Sequence, residues 1–287
     1  MIEWTGRFDA FAERKTSAAA SAAIAPLTTD VEHASSNLAA IGNAWSRTLF
    51  DGSFYLSPPP SADLPSTSLV FVQSRDGNTG ARNPETLGGG AVDLHLLYEG
   101  LSRAAADAVL AGAGTIRGGQ LVFSTWHPEV VALRAALGLP RHPIQIVATL
   151  RGLPLEDGLL FNVPGVRVML IAVASVLDTM TDALRERPWI EPITMSGAEG
   201  LMDAFRRIRL AGVRRISCVG GRTLAHQLID AQLIQDLYLT TGRNDGGEPG
   251  TALDPRALAG REVLRKRGTG TDAGVLFQHL VIESGDS

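Results

Sequence analysis

Arg214-Arg-Ile-Ser-Cys-Val-Gly-Gly-Arg-Thr-Leu-Ala-His-Gln-Leu-Ile-Asp-Ala-Gln-Leu-Ile-Gln-Asp-Leu-Tyr-Leu-Thr-Thr241 is the stretch that decides the fold. Ile216 to Val219 is a short apolar run that reads as a buried strand. Gly220-Gly221 breaks it, and Thr223 to Ala231 then carries Leu224, Leu228, Ile229 and Ala231 at helical spacing. Leu237 to Thr241 is a second strand. A strand, a double glycine and a helix start make a site for an anion. Glycines let the backbone approach a phosphate, and free N–H groups and the helix dipole favour negative charge. The same pair also reads as a plain tight turn, because an isolated glycine turn is a weak signal.

The alternation extends outward in both directions. Leu69 to Val72, Ala108 to Ala111, Ile144 to Ala148 and Val166 to Ile171 read as buried strands. Val92 to Ala106, His127 to Leu137, Ser175 to Arg187 and Ala198 to Ala211 read as helices; Pro128 opens the second and Gly212 closes the last. Glu262 to Arg267 and Val275 to Ile282 form a C-terminal antiparallel hairpin. The class is α/β: a mixed, mostly parallel sheet with helices on both faces.

The first sixty residues differ, and the chain divides into a 1–60 N-terminal helical extension with a Pro-rich linker and a 61–287 domain. One helix is expected over Met1 to Ala25 and a second over Thr29 to Ser46, with Leu38, Ile41 and Trp45 on its apolar face. Pro58-Pro59-Pro60 cannot continue a helix or a central strand. This segment reads as a packing arm without a catalytic group.

Composition narrows the function. The 287 residues carry a net charge of −4 and are 45% hydrophobic, so no basic surface points to nucleic acid or an anionic membrane. No stretch approaches a membrane span and no targeting segment is read; with a single cysteine, a reducing cytoplasm is the expected location. The one cysteine, Cys218, lies in an apolar strand and rules out a cysteine-based zinc site; no metal is expected.

In open α/β sheets ligands bind beyond the carboxyl ends of the strands. Those ends carry Gln73-Ser74-Arg75-Asp76-Gly77, Gly112-Ala113-Gly114-Thr115-Ile116-Arg117, Thr149-Leu150-Arg151 and Gly220-Gly221-Arg222-Thr223. Two glycine clusters and Arg117, Arg151 and Arg222 along one edge suit a ligand with several phosphates. Neither the full dinucleotide fingerprint nor a Walker loop is present.

The ordered set resembles the reductase domain of riboflavin biosynthesis, a relative of dihydrofolate reductase, over Ser66 to Glu283. The resemblance rests on Ser74-x-Asp76-Gly77, the helix Arg103, Asp107-Ala108-Val109 leading to Gly112-Ala113-Gly114-Thr115, Val219-Gly220-Gly221, and Leu228-Ile229-Asp230-Ala231-x-Leu233-Ile234-x-Asp236. It implies a dihydrofolate-reductase-like fold, NADPH as cofactor, a small-molecule substrate and a homodimer. It also implies that the Gly112–Thr115 and Gly220-Gly221 turns hold the dinucleotide, with Thr149 to Arg151 near its adenosine end and Arg117, Arg222 and Thr223 beside the turns. Ser74, Asp76 and Arg103 would face the substrate; the family's Gly-Gly bond is often cis, so a trans Gly220–Gly221 bond would count against the resemblance at this turn.

Departures qualify the substrate. The pathway enzymes carry an acid before Gly-Gly, where this chain has Val219, an apolar residue as in dihydrofolate reductases. A second substrate-phosphate arginine has no counterpart in Arg117 to His127. One cysteine cannot build the zinc deaminase half that often precedes this domain. His127, beside Trp126, is a candidate substrate contact; His95 reads as either a proton donor or a cap, while Trp4, Trp45 and Trp189 read as packing anchors. The expected chemistry is hydride transfer to a C=N or C=O carbon, with the proton from Asp76, solvent or the substrate. Burial of Asp76 would favour its protonated form. A reductase of another pterin- or pyrimidine-like compound, or a non-catalytic NADP-binding protein, fits the same features.

Overall fold

The structure is a computed structural model that describes residues 2–116, 119–156 and 158–282. Its strands are β1 (Leu27–Glu32), β2 (Ala39–Ile41), β3 (Phe54–Leu56), β4 (Ser66–Gln73), β5 (Ala108–Gly112) and β6 (Ile144–Thr149). There follow β7 (Val168–Val173), β8 (Ile190–Met195), β9 (Arg215–Cys218), β10 (Asp236–Thr241), β11 (Arg261–Gly268) and β12 (Leu276–Val281). Ten of these form one sheet in the order β1-β11-β12-β10-β4-β9-β5-β6-β7-β8, while β2 and β3 pair separately. From β10 through β8 every pairing is parallel. β12 runs antiparallel to β10, β11 to β12 and β1 to β11. The mostly parallel sheet and the C-terminal hairpin are therefore as expected.

Apolar side chains alternate between two faces. Val109, Ala111, Val147, Leu170 and Tyr238 belong to one core; Leu110, Ile146, Ile171, Leu237 and Leu239 belong to the other. The first face is covered by helices Ile2–Ser21, Val92–Leu101 and Pro128–Ala136, and the second by Leu201–Leu210 and Arg222–Asp230. Val92–Leu101 is wound wide with i→i+5 bonds and kinks at Gly100 (φ −111°, ψ −109°), and the helix expected to Ala106 resumes for one turn over Ser102–Ala104. The helix expected over Ser175 to Arg187 is two short ones, Ala174–Thr179 and Thr181–Arg185.

One expectation fails outright, and one strand was not foreseen. No helix spans Thr29 to Ser46. Leu27–Glu32 instead pairs with the open edge of β11, where its β-branched Thr28, Thr29 and Val31 suit a pleated backbone. Gly42, at φ +140°, turns the chain, and Asn43 starts the helix Ala44–Phe50 with a capping box to Ser46. β8, which Pro192 obscures in the sequence, is an edge strand, where a missing N–H donor is tolerated.

The first sixty residues are bonded into the sheet. Phe11, Ile41, Phe50, Phe54 and Leu56 lie in the first core. Lys266, fully buried, donates to Thr29 Oγ1 (2.6 Å) and the Asp51 carbonyl (2.8 Å) and lies 4.6 Å from the Phe50 ring centre. Ser57 donates through its backbone N (3.0 Å) and Oγ (2.6 Å) to Asp236, which also meets His279 Nε2 at 2.7 Å. This anchors the chain just before Pro58-Pro59-Pro60.

Candidate active site

A cleft of about 420 Å³ opens at the carboxyl ends of β5, β6 and β8, beside the turn after β9. Its walls include Gly112, Ala113, Gly114, Thr149, Arg151, Gly221 and Thr223. Seven of the eleven residues expected to hold a dinucleotide thus meet in one place. The strand-end rule explains why: each parallel strand delivers its following turn to the same edge.

The two glycine turns touch. Gly112 N–H donates to the Gly220 carbonyl (3.4 Å), and a Cβ on Gly221 would sit 3.7 Å from Gly112 Cα. Gly221 has φ +92°, which glycine adopts freely and other residues rarely do. No cis peptide bond occurs among the described residues, so Gly220–Gly221 is trans, and the turn is made by these torsions. Gly221 caps the helix Arg222–Asp230 without any side-chain cap, so the side-chain acceptor that usually satisfies helix-start N–H groups is missing. A phosphate would satisfy those groups and favour the helix dipole. The residues present therefore fit a pyrophosphate-bearing cofactor.

The other expected contacts fall differently. Gly220 is buried, and a Cβ there would lie 3.1 Å from Thr115 Oγ1, so this pair packs behind the cleft wall. Arg222 reaches the Gly250 carbonyl (3.4 Å) and does not line the cleft. Arg117 lies outside the described residues. Met195 and Leu201 also line the cleft; both were missed because they flank the connection after β8, which was not read as a strand.

Of the residues expected to face a substrate, Asp76 is exposed. Its Oδ1 lies 2.5 Å from Ser74 Oγ and 3.1 Å from Gly246 N. The Ser74 hydrogen bond, chiefly, holds its carboxyl below the usual range, so the protonated form is disfavoured, opposite to the burial case. Ser74 is fully buried and latches this turn to Gly246, whose carbonyl lies 2.8 Å from Ser74 Oγ. Arg103 is 1% exposed; it donates to the Ser124 carbonyl (3.1 Å) and lies 4.2 Å from the Tyr98 ring centre. It packs inside the protein rather than lining the cleft. His127 caps Pro128–Ala136 and stacks on Trp45 (4.0 Å, 21°), and burial lowers its pKa. Val219 is buried in the first core, where an apolar residue fits.

One acid was missed. Asp93, half-buried in the first turn of the wide helix, hydrogen-bonds Thr240 and is pushed up to about 6 by burial. Thr240 pairs with Val72, one residue before the end of β4, so Asp93 sits at the carboxyl ends of β4 and β10. A Cβ on Gly89 would fall 2.9 Å from Asp93 Oδ2, so only glycine lets this loop cover the carboxyl. The sequence signal was a lone acid in Ala91-Val92-Asp93-Leu94, directly after Gly88-Gly89-Gly90. On the same helix, half-buried His95 has its pKa lowered by burial, and Glu99 pairs with Lys15 from the first helix (2.5 Å).

No protein-family model matches the chain, and no curated protein matches it in sequence. Solved structures do share its fold. A pyrimidine reductase-like protein from Corynebacterium diphtheriae aligns with a TM-score of 0.58 at 19% identity, over 77% of this chain and 93% of that one. RibD from Acinetobacter baumannii aligns at 0.54 and 17%, over 77% of this chain and 58% of its own. The riboflavin biosynthesis reductase Rib7 of Saccharomyces cerevisiae aligns at 0.51 and 16%, over 77% and 91%. The chain has the dihydrofolate-reductase-like fold of riboflavin-pathway reductases.

Proposed function

We propose that this chain is an NADPH-dependent reductase resembling the pyrimidine reductase of riboflavin biosynthesis. What carries the reading is the cleft at the carboxyl ends of β5 and β6, where Gly112–Gly114 and the side-chain-uncapped helix after Gly221 converge. Bound NADPH would supply a hydride to a C=N or C=O carbon. The helix start at Arg222 and the Gly112–Gly114 turn would hold the pyrophosphate. Arg151, exposed on the cleft wall, would meet the 2′-phosphate with a charge-assisted contact. Asp93 would deliver the proton, because burial keeps a share of its carboxyl protonated near neutrality, unlike Asp76.

A second reading has its own support. Buried Val219 stands where the resembled pathway enzymes carry an acid, and Arg103 is enclosed. Together they favour a different pyrimidine- or pterin-like substrate on the same cofactor site.

The test is NADPH oxidation by the purified full chain against pyrimidines, pterins and simple carbonyl compounds. NADPH binding should exceed NADH binding, and Arg151→Glu should remove about tenfold or more of that preference. Equal affinity for both cofactors would refute the NADPH assignment. Binding without turnover on any substrate would favour a non-catalytic cofactor-binding protein.

A further inference from the structure

A second cavity, of about 320 Å³, lies at the amino ends of β5, β6, β7 and β9, the sheet edge opposite the cofactor cleft. Asp107, Arg141, His142 and Arg167 line it, with apolar surface from Pro140 and Ile144. The chain as a whole is acidic, at −4, yet positive charge gathers here.

Three guanidiniums converge behind this wall. Arg141 Nη1 donates to the Thr125 carbonyl (2.7 Å) and lies 3.2 Å from Ser124 Oγ. Arg134, 1% exposed, donates from Nε to the Pro140 carbonyl (2.6 Å) and from Nη1 to the Ala106 carbonyl (2.6 Å). Arg103 binds the Ser124 carbonyl in the layer beneath. Among the described residues none of the three forms an ion pair with a carboxylate within 4.0 Å. Arg134 Nη2 and Arg103 Nε and Nη2 are buried without a hydrogen-bond partner. Carbonyls satisfy donors but do not cancel charge, and buried charges without a counter-ion are strongly disfavoured.

The local groups respond to that charge. His142 meets Ser124 Oγ at 2.8 Å and is pushed down to about 4 by burial and then by Arg141 and Arg134. Asp107 is the carboxylate on this wall; its Oδ2 already accepts from Arg214 N (2.8 Å) and Arg215 N (2.9 Å). Arg167 is largely exposed and only loosely paired with Glu191, at 3.9 Å.

We propose that this cavity binds the phosphate of a small phosphate monoester, between Arg141, Arg167 and His142, at a site separate from the cofactor cleft. Two guanidiniums offer the planar, charge-assisted donors that a phosphate dianion takes, and the neutral His142 ring offers a further N–H. The Pro140 and Ile144 wall leaves apolar room for the ester's carbon skeleton. A bound dianion would supply counter-charge to Arg141 and add to what Asp107 already gives Arg134.

The experiment is a titration of the full chain with inorganic phosphate and then glycerol phosphate, following the His142 ring by NMR at constant ionic strength. Saturable shifts at His142 are expected, together with an upward move of its titration midpoint as the bound phosphate anion, a monoanion at that acidity, offsets Arg134 and Arg141. Arg141→Gln and Arg167→Gln should each weaken the response about tenfold. Arg167 is solvent-facing, so its replacement leaves the fold intact. Arg151→Gln, in the other cleft, should leave the response unchanged, which keeps failure here distinct from failure of the cofactor assignment. Shifts equally produced by chloride, or undiminished in both arginine variants, or absent altogether, would overturn the proposal.

Discussion

Replacing Asp93 by Asn tests the candidate proton donor through stability as well as activity. Burial moves this carboxyl from 3.8 to about 6. Its folded-state midpoint lies above the unfolded one. Its contribution to stability is therefore fully present below about 3.8 and lost as pH rises through about 6. At about 1.36 kcal/mol per pH unit, the loss amounts to about 3 kcal/mol. Asn keeps a hydrogen-bond acceptor for Thr240 and never ionises. Asp93→Asn should thus match the parent chain in acid and exceed its stability by up to about 3 kcal/mol at about pH 8. Urea unfolding across this range measures it. Turnover should fall while cofactor affinity holds, because Asp93 does not line the cofactor cleft. A variant no more stable than the parent at alkaline pH would refute the enclosed-acid argument. Unchanged turnover would refute the role as proton donor.

Two further outcomes follow from the geometry. Gly221→Val should abolish NADPH binding with cooperative unfolding retained, since a β-branched residue resists φ +92° and its side chain would stand 3.7 Å from Gly112; unchanged affinity in a cofactor titration would reduce the turn to mere punctuation. Phe50→Ala should destabilise the protein by about 3–5 kcal/mol, because the ring is fully buried against Phe54 and Phe277. Its readout is the urea midpoint, and a loss well below that range would mean the N-terminal segment contributes little to the core.

The parallel strands, their helices and the glycine turns were legible in the sequence because their signals are local. Leu69 to Val72 and Ala108 to Ala111 are apolar in a run, as strands buried on both faces must be. Gly220-Gly221 and Gly112-Ala113-Gly114 mark the strand ends, and the strand-end rule alone brings them to one edge. The resemblance added the fold, and the cleft gathers seven of the eleven residues expected to hold the cofactor.

What tertiary structure decided was pairing and burial, which no window of sequence contains. Leu27–Glu32 is a strand because β11 offers it an open edge, and Ile190–Met195 is one because β7 does. Asp76 and Asp93 are chemically identical, and each follows or precedes glycines. One is exposed and hydrogen-bonded into a turn, which favours its charge; the other is enclosed under Gly89 against Thr240, which disfavours it. The arginines divide in the same way. Arg151 stands on the cleft wall, whereas Arg103 and Arg141 reach Ser124 and Thr125 and Arg134 donates to the Arg103 carbonyl beside them. Desolvation and the sum of neighbouring charges depend on distance through space, so they exist only once the chain has folded.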